Sequence, residues 1–254
     1  MPTPAASTPT PTPTLAPTPT PTPLPPLALR FAPTSQDRTE GAGQMSFIAQ
    51  IPYAIERDLS IPFTLTGTAT DTVDYDISHN PVIIPAGERV ATITIDLIDD
   101  DMDEADETIV ATMGTPSTGF VGPENFHVAT IFDDDPSPTV SFLVAGSSGA
   151  ESVATILLEV ILSSPSSLAQ SVDYATVAGT SATAGHDFIM SNGSLHFGQG
   201  ETSKSINITI VDDSIPEPNE SLIVRLSNPS PSTFGKNTTY TFVILSNDYG
   251  ATTP

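Results

Sequence analysis

The sequence predicts an all-β protein: two tandem seven-stranded immunoglobulin-like antiparallel β-sandwiches after a Pro/Thr-rich N-terminal segment. Three observations lead there. The chain repeats itself at a spacing of 113 residues, it is built from short runs of alternating apolar and polar residues, and no stretch sustains helical periodicity.

Residues 1–26 hold eleven Pro and eight Thr, mostly alternating, and no charged side chain. Such a stretch cannot bury a core. The expected form is an extended polyproline-II spacer about 80 Å long at ~3.1 Å per residue. It has no charged region followed by an apolar one, so it does not read as a signal peptide. The abrupt start and the end at 251–254 suggest a piece of a longer chain.

Beyond the spacer, Asp74 and Tyr75 recur as Asp187 and Phe188, and Gly87 and Glu88 as Gly200 and Glu201. Asp99, Asp100, Glu104 and Glu107 recur as Asp212, Asp213, Glu217 and Glu220, all at the same offset of 113. Two copies of one domain follow, over residues 27–135 and 136–250. In the first copy strands are expected at 27–32, 44–51, 60–66, 81–84, 90–97, 108–112 and 127–132; the second copy's first strand is expected at 140–144. The run 90–97, VATITIDL, is the clearest, with β-branched residues suited to a half-buried pleat. Seven short strands in about 110 residues have the size of an immunoglobulin-like sandwich, large enough for a core without disulfides.

The chain carries 30 acidic and 7 basic residues, a formal charge of −23. That excludes a basic nucleic-acid footprint and fits a protein that attracts cations. There is no Cys, hence no thiolate nucleophile or cysteine metal site, and no apolar run approaches a membrane span.

Residues 99–107, DDDMDEADE, crowd seven carboxylates with no Lys or Arg among them. Two carboxylates about 4 Å apart repel by roughly 4 kcal/mol at an effective dielectric near 20. In an antiparallel sandwich the connections after the first, third and fifth strands share a pole, and the chain leaves the last strand there. Glu40, Asp74, residues 99–107 and Asp133, Asp134 and Asp135 occupy those four stations. One acidic run alone is ordinarily a solvated face; four converging runs need protons, hydration or a metal ion. Many hard oxygens without His or Cys suit Ca²⁺, and suit the smaller, stricter Mg²⁺ less well. The loop is not an EF-hand, because Glu104 stands where that motif needs Gly and Val110 where it needs Glu.

The ordered set GTATDTVDY, IIPAGE, IDLIDDDMDEADETI and IFDDD resembles the Calx-beta domain of sodium–calcium exchangers and many large extracellular proteins. The second copy resembles it through GTSATAGHDF, FGQGE, INITIVDDSIPEPNESL and VILSND. The resemblance covers nearly everything after residue 27 and implies a seven-stranded sandwich holding a small cluster of Ca²⁺ ions at one pole. It implies as first-domain ligands Asp74, Asp99, Asp100, Glu104, Glu107, Asp133, Asp134 and Asp135, the backbone carbonyl of Met102, and Glu40 as the early acid. In the second domain it implies Asp187, Asp212, Asp213, Glu217, Glu220 and Asp248, with Glu151 standing in for Glu40. There Ser246 and Asn247 replace two acids of the closing triplet and Ser214 replaces the loop's third Asp. The domain charges follow, −16 from 20 acids and 4 bases against −7 from 10 and 3. The second domain is expected to hold fewer ions, or hold them weakly.

No GxSxG, HExxH or phosphate loop occurs, and His79, His127, His186 and His196 show no partnering motif, so the chain is not read as an enzyme. The Asn-x-Ser/Thr sites at Asn192, Asn207, Asn219 and Asn237 matter only if the host glycosylates. The preferred expectation is a Ca²⁺-binding structural or adhesion module, extracellular or at the cell surface, with other surface proteins or glycans as partners. The alternative is a calcium-sensing pair within a larger transport or signalling protein. With only Pro136, Ser137, Pro138 and Thr139 between the acidic pole and the next strand, Ca²⁺ is expected to stiffen the junction.

Overall fold

The computed structural model describes residues 1–2, 23–77 and 79–248. The expected spacer lies almost wholly outside these, as does the tail 251–254. The first domain runs β1 (Ala28–Phe31), β2 (Ser35–Thr39), a 3-10 turn (Glu40–Ala42), β3 (Gln44–Gln50), β4 (Leu59–Ile61), β5 (Phe63–Gly67), β6 (Tyr75–Ile77), β7 (Val82–Ile84), β8 (Val90–Leu97), β9 (Glu107–Met113), β10 (Phe120–Val121) and β11 (Phe126–Phe132). One sheet has the order β10-β1-β3-β8-β6, the other β2-β11-β9-β5, with β4 and β7 paired as a ribbon.

Both sheets turn one face inward. Along β8, Ala91, Ile93, Ile95 and Leu97 are buried in strict alternation, as a pleat of period two requires. They pack with Phe31, Phe47, Leu59, Ile61, Ile84 and Ile109 into one core.

The expected first strand, 27–32, is observed as β1. After Pro33 the chain resumes as an additional strand, β2, on the opposite sheet, parallel to β11. The expected run 60–66 is two strands, because Pro62 has no N–H to give a ladder. Like β2, the short β6 and β10 lie outside every expected run, and the run expected at 140–144 is observed as Thr139–Phe142.

The second domain continues with β12 (Thr139–Phe142), β13 (Gly146–Ala150), a 3-10 turn (Glu151–Val153), β14 (Thr155–Leu162), β15 (Gln170–Thr176), β16 (Phe188–Ile189), β17 (Gly193–Phe197), β18 (Ser203–Ile210), β19 (Glu220–Ser230), β20 (Thr233–Phe234) and β21 (Thr239–Leu245). Its sheets are β16-β18-β14-β12-β20 and β13-β21-β19-β15-β17. A separate core forms around Phe142, Phe188, Phe197 and Phe242. Among the described residues no helix is long and apolar enough to cross a membrane.

Candidate metal centre

Each acid of the first pole is placed by a strand end. Glu40 opens the 3-10 turn that joins β2 to β3 and is only 8% exposed. Asp74 immediately precedes β6, and its Oδ2 accepts the Thr70 N–H at 2.5 Å. Residues 98–106 join β8 to β9, whose first residue is Glu107. Asp133, Asp134 and Asp135 follow β11 directly.

The structure brings these stations together. Oxygens of Asp74, Glu104 and Glu107 lie within 4.8 Å of one another. Glu40, Asp74, Glu104, Glu107 and Asp133 line one cleft, with Ala105 and Ile131. Glu40 Oε1 accepts the Asp100 N–H at 3.2 Å, and Asp134 Oδ1 accepts the Gly41 N–H at 3.4 Å. A Cβ on Gly41 would stand 3.1 Å from Asp134 Oδ2 and 3.4 Å from Asp99 Oδ1, so both acids flank the turn. Asp135 belongs to the same group, feeling the charges of Asp133, Asp101, Asp100 and Asp134. Met102 is half-buried in this loop, its N–H donating to Asp100 Oδ1 at 2.7 Å.

No Lys or Arg among the described residues forms an ion pair with these acids; the ion pair Lys204–Glu201 lies in the other domain. Burial and crowding raise the proton affinity of several of these carboxyls. Burial first, then the charges of Asp100, Glu104 and Asp133, push Glu40 from 4.5 up to about 7 against the opposing Asp100 hydrogen bond. Burial, a hydrogen bond shared with Asp74 and the charges of Asp74, Glu104 and Glu40 raise Glu107 to about 7 as well. Burial and like charges also raise Glu104, Asp133 and Asp135.

The second domain repeats the arrangement more sparsely. Glu151 opens its 3-10 turn at 4% exposure, as Glu40 does in the first domain. Oxygens of Asp187, Glu217 and Glu220 lie within 4.8 Å of one another. Glu151 is raised by burial and by Asp248, Glu217, Asp213 and Asp212, which places all of these about one pole. Burial and Asp187 raise Glu220 to about 7. Asp213 Oδ1 accepts the Ile215 N–H at 2.7 Å, the counterpart of Asp100 and Met102. Asn247 is different in kind, because its amide donates to Asp212 Oδ1 at 3.1 Å. An internal donor thus takes up acceptor capacity that the first domain leaves for a cation.

The donor set fits Ca²⁺. It is all oxygen, it is multiply charged, and buried atoms Asp133 Oδ1, Glu151 Oε2 and Asp248 Oδ2 have no hydrogen-bond partner. A hard divalent ion with six to eight oxygen ligands answers each of these features.

Sequence reasoning missed Asp103. It lies in the same acidic loop but faces away from the cleft and is 4% exposed. Its Oδ2 accepts from Ser166 Oγ at 2.6 Å and its Oδ1 from Ser137 Oγ at 2.8 Å. Its backbone N–H donates to the Pro165 carbonyl at 3.4 Å, and its carbonyl accepts the Ser167 N–H at 3.0 Å. Asp103 therefore fastens the loop to the second domain. Its repeat counterpart, Pro216, is no acid, the one signal that set it apart.

A family model described as the Calx-beta domain matches residues 27–135 and again 133–248. Sodium/calcium exchanger 1 of Rattus norvegicus is 27% identical over 184 residues, covering 65% of this chain and 19% of the exchanger. Sodium/calcium exchanger 2 of Homo sapiens is 25% identical over 229 residues, covering 76% of this chain and 25% of the exchanger. The chain thus spans a quarter or less of these relatives. The solved structure of CBD12 from CALX1.2 shares 23% identity at a TM-score of 0.42, covering 86% of this chain and all of that one.

These relatives correct one expectation. An extracellular or cell-surface location does not hold, because the relatives are sodium/calcium exchangers, whose Calx-beta domains lie in a cytoplasmic loop. The adhesion role, with surface proteins or glycans as partners, loses its support with it.

Proposed function

Because the chain belongs to the Calx-beta domain family, whose ion is Ca²⁺, we propose that it is the calcium-sensing regulatory pair of a larger membrane transport protein. The observation that carries this reading is the position of the acidic pole. The loop that supplies Glu104 to the cleft, and leads into Glu107 at the start of β9, also buries Asp103 against the neighbouring domain. One loop serves cation and junction together.

In this reading Glu40, Asp74, Asp99, Asp100, Glu104, Glu107, Asp133, Asp134, Asp135 and the Met102 carbonyl hold Ca²⁺ in the first domain. Glu151, Asp187, Asp212, Asp213, Glu217, Glu220 and Asp248 form the weaker second site. Bound Ca²⁺ supplies positive charge where the chain has none of its own. The acids then draw the 98–106 loop and the exit from β11 into one arrangement, which sets Asp103 against Ser137 and Ser166. Without the ion, repulsion among the same acids loosens loop and junction. The role is regulatory, and no catalytic step is assigned. The transport activity itself would belong to other parts of such a protein.

Small-angle scattering of the chain tests this. A narrower, more rod-like distance distribution is expected in millimolar CaCl₂ than in EDTA. An unchanged distribution, in a sample shown to bind Ca²⁺, would confine the ion to a local role and overturn the sensing mechanism.

A further inference from the structure

The junction between the domains is a tip set in a socket. The tip is Asp103 of the first domain, which bonds Pro165, Ser166 and Ser167. The socket is the connection between β14 and β15, held where the Gly200 N–H donates to the Ser166 carbonyl at 2.9 Å. The repeat supplies the same two parts once more, unjoined, at the opposite ends of the pair. In the first domain the Gly87 N–H donates to the Ile55 carbonyl at 2.8 Å, so Ile55 stands where Ser166 stands in the second. At the far end, 113 residues beyond Met102 and Asp103, stand Ile215 and Pro216.

The joined tip and socket are both polar, Asp103 on Ser166. The unjoined tip, Ile215 and Pro216, is apolar, and the unjoined socket sets three apolar side chains beside polar ones. Ile215 is 58% exposed, and Leu27, Tyr53 and Ile55 line an open groove of about 630 Å³ with Glu56, Arg57 and Thr118. Ile215 is flanked by Asp212, Asp213 and Glu217; in the groove Arg57 stands beside Glu56, and Arg30 and Arg89 line the adjoining groove without an acid. Those are three of the four arginines in residues 27–135. Pro25 and Pro26 line the adjoining groove.

We propose that the 211–217 loop of one copy seats Ile215 in the Tyr53 and Ile55 groove of a second copy, joining copies head to tail. Tip and socket are different surfaces at opposite ends, so the contact is heterologous and propagates into chains of copies. It needs no ion at either pole, and the acids that flank Ile215 are the same ones that the proposed function assigns to the second calcium site.

Sedimentation equilibrium of the full chain, from micromolar to near-millimolar concentration, is the test. The wild type is expected to associate progressively into species longer than dimers. Ile215→Asp, which spoils the tip, and Arg57→Glu, which spoils the socket, should each weaken association at least tenfold while leaving the melting temperature unchanged. Mixing the two variants restores one good tip and one good socket, so the mixture should form dimers and stop there. A wild type that stays monomeric throughout overturns the proposal. So does association that both variants leave unchanged, and so does a mixture that remains monomeric.

Discussion

Replacing Asp103 by Ala removes the side chain that joins the acidic loop to the second domain. Two hydrogen bonds go, from Ser166 Oγ at 2.6 Å and Ser137 Oγ at 2.8 Å. Bonds to a charged acceptor contribute about 1.5–3 kcal/mol each, but burying the carboxylate costs several kcal/mol in return. Ser166 is not orphaned, since its hydroxyl also lies 3.1 Å from the Asp103 carbonyl and accepts the Leu168 N–H at 3.0 Å. The net loss is therefore about 2–3 kcal/mol, and at 1.4 kcal/mol per tenfold the junction should open roughly 30- to 150-fold more often. Amide hydrogen exchange reads this at the Asp103 and Ser167 N–H groups, both of which bond across the junction. Their exchange should accelerate by about that factor, with amides inside β8 and β14 unchanged. Asp106→Ala, an exposed acid of the same loop, is the control and should change neither. Equal exchange in Asp103→Ala and the wild type would refute the fastening role.

Proton linkage has a definite sign. Glu40, Glu107 and Glu220 are raised from 4.5 to about 7 in the folded chain, so folding takes up protons, and the stability they contribute at low pH is lost as pH rises from about 4.5 through 7. In EDTA the melting temperature should therefore rise as pH falls from 8 to 5.5, while the stabilisation by CaCl₂ shrinks over the same window as protons compete for the ligands; scanning calorimetry showing no pH dependence in EDTA would contradict this. The double change Ser246→Asp with Asn247→Asp restores two acids and removes the amide bond to Asp212. Calcium affinity of the second domain should rise at least tenfold, measured by calorimetric titration, since ligand charge is a main determinant of affinity. Ala154 ends the second 3-10 turn at φ +64°, where the first domain has Gly43 at φ +78°. Ala154→Gly should stabilise the second domain by about 1 kcal/mol in urea unfolding, because that conformation is strained for a residue with a Cβ.

The repeat and the acidic pole were legible in the sequence because both rest on spacing. A constant offset of 113 residues survives any change in packing, and strand parity alone carries Glu40, Asp74, the 98–106 loop and Asp133 to one end. What escaped depends on contacts between distant segments. β2, which was not expected, runs parallel to β11, and its sequence, SQDRT, has no apolar alternation to announce it. Asp103 looked like one more acid in a run, and its partners lie 34 and 63 residues away. Location was misjudged for another reason: a Pro/Thr spacer states stiffness and reach, and nothing in those properties encodes a compartment.

The central claim is that the converging carboxylates of the first domain bind calcium. Calorimetric titration of the full chain with CaCl₂ tests it most directly, with Asp99→Ala/Glu107→Ala run beside the wild type. The wild type should show saturable binding, and the double variant should lose the tighter component while keeping its strand circular dichroism. A wild type that gives only heats of dilution, or a folded double variant that titrates like the wild type, would contradict the account.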